Sequence, residues 1–137
     1  MKLVLDTNVF ISALLWYGPP HQLLRLIEKG TFTLCITPSL LEELTDVLSR
    51  PKFSSRIKDR KTSPKELLAA ILDVAELHPD KRIKSVVKND PDDDRVLACA
   101  LASGAKYIIT GDPHLLKLKN WSGISILTPR QFLSLIK

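Results

Sequence analysis

The chain has 137 residues, the length of one ordinary domain, and 45% of them are apolar, which supports a buried core and excludes a disordered chain. Its 20 basic and 15 acidic side chains give a net charge of +5 and an isoelectric point near 9.3, a balance that favours contact with a polyanion. No run approaches the roughly 18 apolar residues of a membrane-spanning helix, so a helical membrane protein is excluded. We expect one domain over residues 1–137.

Short apolar runs alternate with amphipathic patterns along the chain. The sequence predicts strands at 3–5, 31–36, 106–110 and 124–127, with a further extended segment at 82–87. It predicts helices at 9–16, 21–29, 39–49, 64–77, 93–103 and 113–118, and a basic connector at 50–65. A last helix is predicted after Thr128, because Pro129 and Gln131 complete a capping-box pattern. Strands separated by helices imply right-handed crossovers, so we predict a three-layer α/β/α domain with a mostly parallel sheet.

The two cysteines, Cys35 and Cys99, each lie in an apolar run, and neither has the spacing of a zinc site or a redox pair. Both are predicted to be core residues of a protein in a reducing compartment. From Met1 the chain reaches the carboxylate of Asp6 before the apolar region of a signal peptide could form. We therefore expect a cytoplasmic protein without a membrane partner.

Two aspartates follow predicted strands. Asp6 ends the first strand, and Asp112 comes two residues after the strand at 106–110. Ligands bind at the carboxyl ends of the strands in open parallel sheets, so both carboxylates are expected at one edge. Helix capping is the alternative: Asp112 precedes Pro113 in a good N-cap pattern, and Thr7 or Asn8 could cap the first helix.

Helical geometry distinguishes between the adjacent Glu42 and Glu43. At 100° per residue, Glu43 lies roughly 100° from the centre of the apolar stripe of its helix, and Glu42 lies roughly 160° away. Glu42 is therefore expected to face solvent, where it could complete a capping box with Ser39. Glu43 borders the buried face and could lean over the strand ends, although a boundary glutamate without a function has the same pattern.

The same test applies to the acidic run Asp90-Pro91-Asp92-Asp93-Asp94. Asp93 falls in line with the apolar stripe of the following helix, whereas Asp92 and Asp94 fall about 100° to either side. Acidic residues commonly begin helices because they complement the helix dipole, which explains Asp92 and Asp94. The helix dipole does not explain Asp93, whose carboxylate is expected to point toward the core.

Carboxylates brought together raise one another's pKa, and a divalent cation removes that conflict. Oxygen ligands alone favour Mg²⁺ or Mn²⁺ over zinc. The histidines His21, His78 and His114 show no ligand spacing and are expected at the surface, with His114 close to Asp112 along the chain.

Basic residues concentrate in the connector, where cations could hold the phosphates of a nucleic acid while carboxylates hold metal. Ordinary solvated helix faces would have the same composition. The connector cations are Arg50, Lys52, Arg56, Lys58, Arg60, Lys61 and Lys65, and a second group is Lys81, Arg82, Lys84 and Lys88.

Four segments, in this order and spacing, resemble the successive motifs of the PIN-domain family over nearly the whole chain. They are Val4-Leu5-Asp6-Thr7-Asn8-Val9, Ser39-Leu40-Leu41-Glu42-Glu43-Leu44, the run from Asp90 to Ala100, and Ile109-Thr110-Gly111-Asp112. The chain is most similar to small prokaryotic single-domain PIN proteins described as toxin components of toxin–antitoxin pairs.

This resemblance implies a five-stranded parallel sheet and an endoribonuclease that uses Mg²⁺ or Mn²⁺, one or two ions per site. It implies that Asp6, Glu43, Asp93 and Asp112 form the catalytic, metal-binding quartet. Thr7, Asn8 and Thr110 match polar positions that orient ligands or water, and Asp94 or Asp90 could substitute for Asp93 if the helix starts elsewhere. The expected partners are RNA, gripped by the connector cations, a small antitoxin protein and a second copy of the chain.

Two rival functions fit parts of the pattern. An aspartyl-phosphate phosphatase or transferase also places an aspartate after the first strand, but it usually has a second aspartate two residues later, where this chain has Asn8. A catalytically silent PIN-fold module that binds RNA or protein is the second rival. The presence of all four acids argues against it.

Overall fold

A six-stranded sheet forms the centre of the computed structural model, which describes residues 1–84 and 91–136. The strand order is β3-β2-β1-β4-β6-β5, and every neighbouring pair is parallel except β5 and β6. The predicted α/β class is confirmed, with one strand more than expected. The strands are β1 (Lys2–Leu5), β2 (Thr33–Ile36), β3 (Ala75–Leu77), β4 (Tyr107–Ile109), β5 (Asn120–Trp121) and β6 (Ile124–Leu127).

Helices connect the strands and cover them. Helix α6 packs across β1, β2 and β4, α1 packs on α2 and α3, and α8 contacts α2 and β6. Within the described ranges, no helix has the length and apolar composition needed to cross a bilayer. The helices are α1 (Thr7–Leu15), α2 (Pro19–Glu28), α3 (Pro38–Leu48), α4 (Ser54–Asp59), α5 (Pro64–Val74), α6 (Pro91–Ser103), α7 (Pro113–Leu116) and α8 (Pro129–Leu135).

The edge strand β3 corrects the predicted helix over 64–77. Helix α5 ends at Val74, and Ala75 turns to extended backbone with φ −89° and ψ 146° before pairing with Leu34 of β2. Glu76 then accepts from Lys2 Nζ at 2.8 Å and lies 2.6 Å from His78 Nε2, so polar contacts from β1 and from the end of β3 meet on its carboxylate. Residues 82–84 of the extended segment predicted at 82–87 belong to no strand, and its remainder lies outside the described residues.

The short strand β5 was also absent from the sequence prediction. Asn120 and Trp121 pair antiparallel with Ser125 and Ile124 around a two-residue turn. Ser122 and Gly123 both have positive φ, 52° and 80°, the conformation of a type I′ hairpin that glycine favours. A two-residue strand is too short to show a hydrophobic alternation, which explains why the pattern missed it.

Several helix boundaries differ from the prediction because of capping. The two prolines at 19–20 occupy the first turn of α2 instead of preceding it. Thr37 caps α3 through a 3.4 Å bond from the Leu40 N–H to its hydroxyl, so the expected capping box of Ser39 and Glu42 is wrong. The connector contains a 3-10 turn (Pro51–Phe53) followed by α4.

The terminal helix follows the prediction closely. The Gln131 N–H donates to the Thr128 hydroxyl at 3.1 Å, and the Thr128 N–H donates to Gln131 Oε1 at 3.0 Å, which confirms the capping box. Phe132 of this helix is fully buried and packs edge-on against Phe32 and Tyr107, with ring centroids 5.2 and 5.1 Å apart. The cap therefore begins a helix that closes the core.

Both cysteines lie in the core, as the sequence predicts. Cys35 is on β2 and Cys99 is on α6, which packs against that strand, and neither side chain is exposed. Burial raises the pKa of both thiols, that of Cys99 to about 12.

Candidate active site

The carboxyl ends of β1 and β4 meet at the edge of the sheet where the predicted acids gather. Leu5 and Ile109 are register partners, and the Asp6 N–H donates to the Ile109 carbonyl at 3.1 Å. Asp6 therefore leaves β1 beside the point where Thr110 and Asp112 leave β4. Parallel pairing of two adjacent strands brings these residues together across more than a hundred positions of sequence.

Asp6 is buried, with 6% of its surface exposed, and both of its carboxylate oxygens accept hydrogen bonds. Oδ1 accepts the Val9 N–H at 3.0 Å, so Asp6 itself is the N-cap of α1 and the expected cap by Thr7 or Asn8 is wrong. Oδ2 accepts the hydroxyl of Thr110. The backbone of Asn8 also donates to this carboxylate. An ionised carboxylate offers about four acceptor sites, so Asp6 retains capacity for a ligand.

Thr110 joins two of the four carboxylates. Its fully buried hydroxyl accepts the Asp112 N–H at 3.0 Å, and this fixes its own proton toward Asp6. Asp112 caps α7 by accepting the His114 N–H at 2.8 Å, which confirms the predicted cap. His114 is exposed as expected, but its Nδ1 lies 3.7 Å from Asp112 Oδ1.

The helix-face predictions for the other two acids agree with the structure. Glu42 is exposed while Glu43 is half-buried, and Asp92 is exposed while Asp93, 5% exposed, is buried in the first turn of α6. One oxygen of Glu43, Oε2, is buried and has no hydrogen-bond partner among the described residues. Ligand atoms of Asp93, Asp112 and His114 all lie within 4.8 Å of one another.

All four predicted carboxylates line one pocket of about 250 Å³, so four separate elements converge on it. Thr7 and Asn8 line the same pocket, and Val47 and Val96 form its apolar wall. Asp94 is half-buried and does not belong to this lining, and Asp90 lies outside the described residues. The polar lining consists of Asp6, Thr7, Asn8, Glu43, Arg50, Asp92, Asp93 and Asp112.

Burial and like charge act together on these carboxylates. Burial raises the pKa of Asp6, the charge of Asp112 adds to that rise, and the hydrogen bonds from Thr110 and Val9 oppose it. Burial likewise raises the pKa of Glu43, with a further contribution from Asp92 and opposition from Thr7. The pocket therefore resists holding several negative charges without a compensating cation.

Sequence reasoning missed Asp92 and Arg95 at this site, whereas Arg50 was predicted among the connector cations that would hold RNA. Asp92 and Arg50 line the pocket, and Arg95 bonds Asp92 Oδ1 at 3.0 Å. Asp92 was interpreted only as a residue that complements the dipole of α6. The position of the first turn of α6 relative to the pocket was not part of that interpretation.

The connector cations do not gather at one place. Arg50 reaches the pocket, while Lys52, Lys58 and Lys61 are exposed. Arg56 and Arg60 are half-buried and lie over aromatic rings away from the pocket lining. The structure therefore brings only one of the six predicted RNA-binding residues to the acids; the six are Arg50, Lys52, Arg56, Lys58, Arg60 and Lys61.

Comparison with known proteins identifies the family. The PIN-domain model matches residues 2–114, a span that includes the four carboxylates. The chain is also 31% identical over 142 aligned positions to the uncharacterized protein MJ1680 of Methanocaldococcus jannaschii, covering 97% of this chain and 90% of that relative. The chain belongs to the PIN-domain family, whose members are in general nucleases.

Two solved structures share the fold. VapBC2 from Rickettsia felis, crystallised with a DNA fragment from its promoter, aligns with a TM-score of 0.60 and 19% identity over 92% of this chain and 97% of that one. PAE2754 from Pyrobaculum aerophilum aligns with a TM-score of 0.56 and 15% identity over 99% of this chain and 90% of that one. At these identities the likeness concerns the fold alone.

Proposed function

We propose that this protein is a divalent-metal-dependent endoribonuclease whose site is Asp6, Glu43, Asp93 and Asp112. The convergence of these four carboxylates on one pocket is the observation that carries the proposal. Membership in a family of nucleases supports phosphodiester hydrolysis over aspartyl-phosphate chemistry. The net positive charge supports a polyanionic substrate.

The residues of the pocket fit Mg²⁺ or Mn²⁺, one or two ions per site. The ligand atoms that the quartet offers are all oxygens, which these ions prefer. The buried Oε2 of Glu43 has no hydrogen-bond partner within the described part of the chain, and a cation would satisfy it. The raised pKa values of Asp6 and Glu43 also support a cation in the pocket, because a bound cation would offset the burial and repulsion that raise them.

When bound, the ion would neutralise charge on the attacked phosphate and activate water. The chain itself contributes positioning. Thr110 holds Asp6 and Asp112 in fixed relation, and the caps of α1 and α7 fix the directions of their side chains. Arg50 pairs with Asp46 at 3.4 Å in an exposed ion pair, which it can exchange for a substrate phosphate at little cost.

A role as the toxin of a toxin–antitoxin pair extends this proposal. The fold is shared with VapBC2, a toxin–antitoxin protein whose crystal also contains a promoter DNA fragment. The shared fold supports a small antitoxin as a partner of this chain. A homodimer is a further expectation. Co-expression with the products of the flanking genes, followed by mass measurement of the purified complex, tests both partners.

The nuclease proposal is tested with labelled single-stranded RNA in Mg²⁺ or Mn²⁺. We expect cleavage that chelator abolishes and that Asp6→Asn or Glu43→Gln reduces by at least a hundredfold, on the order of 3 kcal/mol of transition-state stabilisation. Glu42→Gln is the matched control, because Glu42 is adjacent to Glu43 but faces solvent. Attack by water leaves a 5′-phosphate on one product.

Two results would overturn this assignment. A cyclic phosphate product would show that the ribose 2′-hydroxyl is the nucleophile. Binding of RNA without cleavage of any sequence in a broad panel, by a folded protein in either metal, would favour the catalytically silent module.

A further inference from the structure

Two exposed aromatic side chains follow α1, and cations from the connector pack over them. Trp16 is 42% exposed and Tyr17 is 75% exposed. The guanidinium carbon of Arg56 lies 5.4 Å from the centroid of the Trp16 ring, and that of Arg60 lies 4.8 Å from the Tyr17 ring. Both distances are within the range of cation–π attraction. We call this surface the aromatic ridge, and its members are Trp16, Tyr17, Lys52, Phe53, Arg56 and Arg60.

The ridge is held by contacts that fix its rings. Arg56 Nε donates to the carbonyl of Leu15, the last residue of α1, at 2.7 Å in a part-buried bond. Phe53 stands edge-on to Trp16, with centroids 6.3 Å apart and planes at 72°, and carries Lys52 Nζ 5.0 Å above its own centroid. The aromatic side chains are therefore positioned before any ligand arrives, which lowers the entropy that binding must offset.

The charge of the ridge is uncompensated. Within residues 1–84 and 91–136, no ion pair joins Lys52, Arg56 or Arg60 to a carboxylate. Uncompensated cations beside exposed flat rings are the features with which proteins bind single-stranded nucleic acid, since bases stack on the rings while phosphates meet the cations. A purely apolar partner would leave these charges without counterions.

The ridge and the acidic pocket lie at opposite ends of one short helix. Asp6 caps the start of α1 and Trp16 caps its end, and nine helical residues span about 14 Å. Arg50 lines the pocket and leads along the chain into Lys52 and Phe53, so cations continue from one place to the other. We propose that the aromatic ridge binds single-stranded RNA by stacking bases on Trp16 and Tyr17 while the same strand enters the acidic pocket. This inference rests on the proposed ribonuclease function.

Binding is measured without cleavage, by fluorescence anisotropy of an unstructured RNA oligonucleotide in chelator. We expect Trp16→Ala and Tyr17→Ala each to weaken binding by about 5- to 150-fold, the contribution of one stacked base. Trp16→Phe and Tyr17→Phe should retain most of the affinity because they keep a ring. Leu135→Ala is the matched control, since Leu135 is 59% exposed on α8 and does not belong to the ridge. Thermal melting establishes that each variant is folded.

An abasic substrate and a fluorescence signal separate base stacking from simple charge attraction. RNA of equal length and charge with abasic positions should bind weakly to the wild type and should not respond to the alanine substitutions. A Trp121→Phe background leaves Trp16 as the only tryptophan, and its emission should fall when single-stranded RNA binds.

Equal binding by wild type and folded alanine variants would overturn the proposal, and so would equal losses with duplex and single-stranded RNA. Unchanged RNA binding with lost self-association or partner binding would instead assign the ridge to protein contact. Because no step of this experiment requires cleavage, its failure is distinguishable from failure of the nuclease assignment.

Discussion

At Thr110, one buried hydroxyl links two acids that reach the site from different strands. It accepts the Asp112 N–H at 3.0 Å and donates to Asp6 Oδ2. Valine has nearly the same shape but can make neither bond, so Thr110→Val should leave a buried carboxylate oxygen without its donor. We expect a loss of about 1.5–3 kcal/mol of unfolding free energy without metal.

The same substitution should lower the rate of RNA cleavage more than it changes KM, because Thr110 positions the acids and does not touch the substrate. Thr110→Ser restores the hydroxyl and should recover most of the stability and rate. Chemical denaturation and cleavage kinetics of the two variants provide the measurement. Equal behaviour of valine and serine would show that the hydroxyl has no positioning role.

The raised pKa of Glu43 predicts how the unfolding free energy depends on pH. Burial and Asp92 raise its pKa in the folded chain above the ordinary value of 4.5. The folded state therefore binds the proton more tightly than the unfolded state, and unfolding free energy is lost as pH rises from about that value through the raised pKa. In chelator, Glu43→Gln should be more stable than wild type at neutral pH and equal to it below pH 4.5.

Thermal melting across pH, with Glu42→Gln as control, measures this difference. Glu42 is exposed, so its substitution should leave the profile unchanged. A Glu43→Gln variant that is less stable than wild type at neutral pH, in the absence of metal, would contradict the proposed conflict between charges.

Among the elements, α8 depends most clearly on its N-cap residue, Thr128. Thr128 and Gln131 cap it reciprocally, and its Phe132 packs on two rings of the core. Thr128→Ala should cost about 0.5–2 kcal/mol of unfolding free energy, a shift of a few degrees in Tm. Thr128→Ser should be nearly neutral, and so should Ser134→Ala, since Ser134 is exposed on the same helix. A neutral alanine variant would show that packing alone holds the helix.

Sequence patterns predicted those elements whose signals are local. The capping box of α8 is readable in four residues, and the faces of α3 and α6 follow from helical period, which is why Glu43 and Asp93 were distinguished from their neighbours. Strand β3 was missed because its three residues continue the apolar composition of α5, and only pairing with β2 makes them extended. The aromatic ridge was invisible for another reason: about forty positions separate Trp16 from Arg56 along the chain.

For the whole molecule, the acidic pocket links metal binding to stability. Four elements supply its carboxylates, so a bound cation would join β1, α3, α6 and the β4–α7 turn. We expect Mg²⁺ or Mn²⁺ to raise Tm, with about 2.7 kcal/mol of added stability at a hundredfold excess over Kd. The rise should shrink in acid, where protons compete for the carboxylates.

Asp93→Asn and Asp94→Asn form the matched pair for this measurement. Asp93 lines the pocket and Asp94 does not, although both belong to the first turn of α6. Only the first substitution should remove the metal-dependent rise in Tm. An equal rise in both variants would place the stabilising ion elsewhere on the chain.

The two buried thiols make the timing of opening measurable in the unmodified chain. Cys99 lies on α6 together with Asp93, and Cys35 lies on the strand beneath. Their raised pKa values and complete burial keep both unreactive while the helix stays in place, and the chain has no other cysteine. The rate at which a thiol reagent labels Cys35 and Cys99 therefore reports on the opening of α6 away from the sheet. Metal bound at Asp93 should lower that labelling rate.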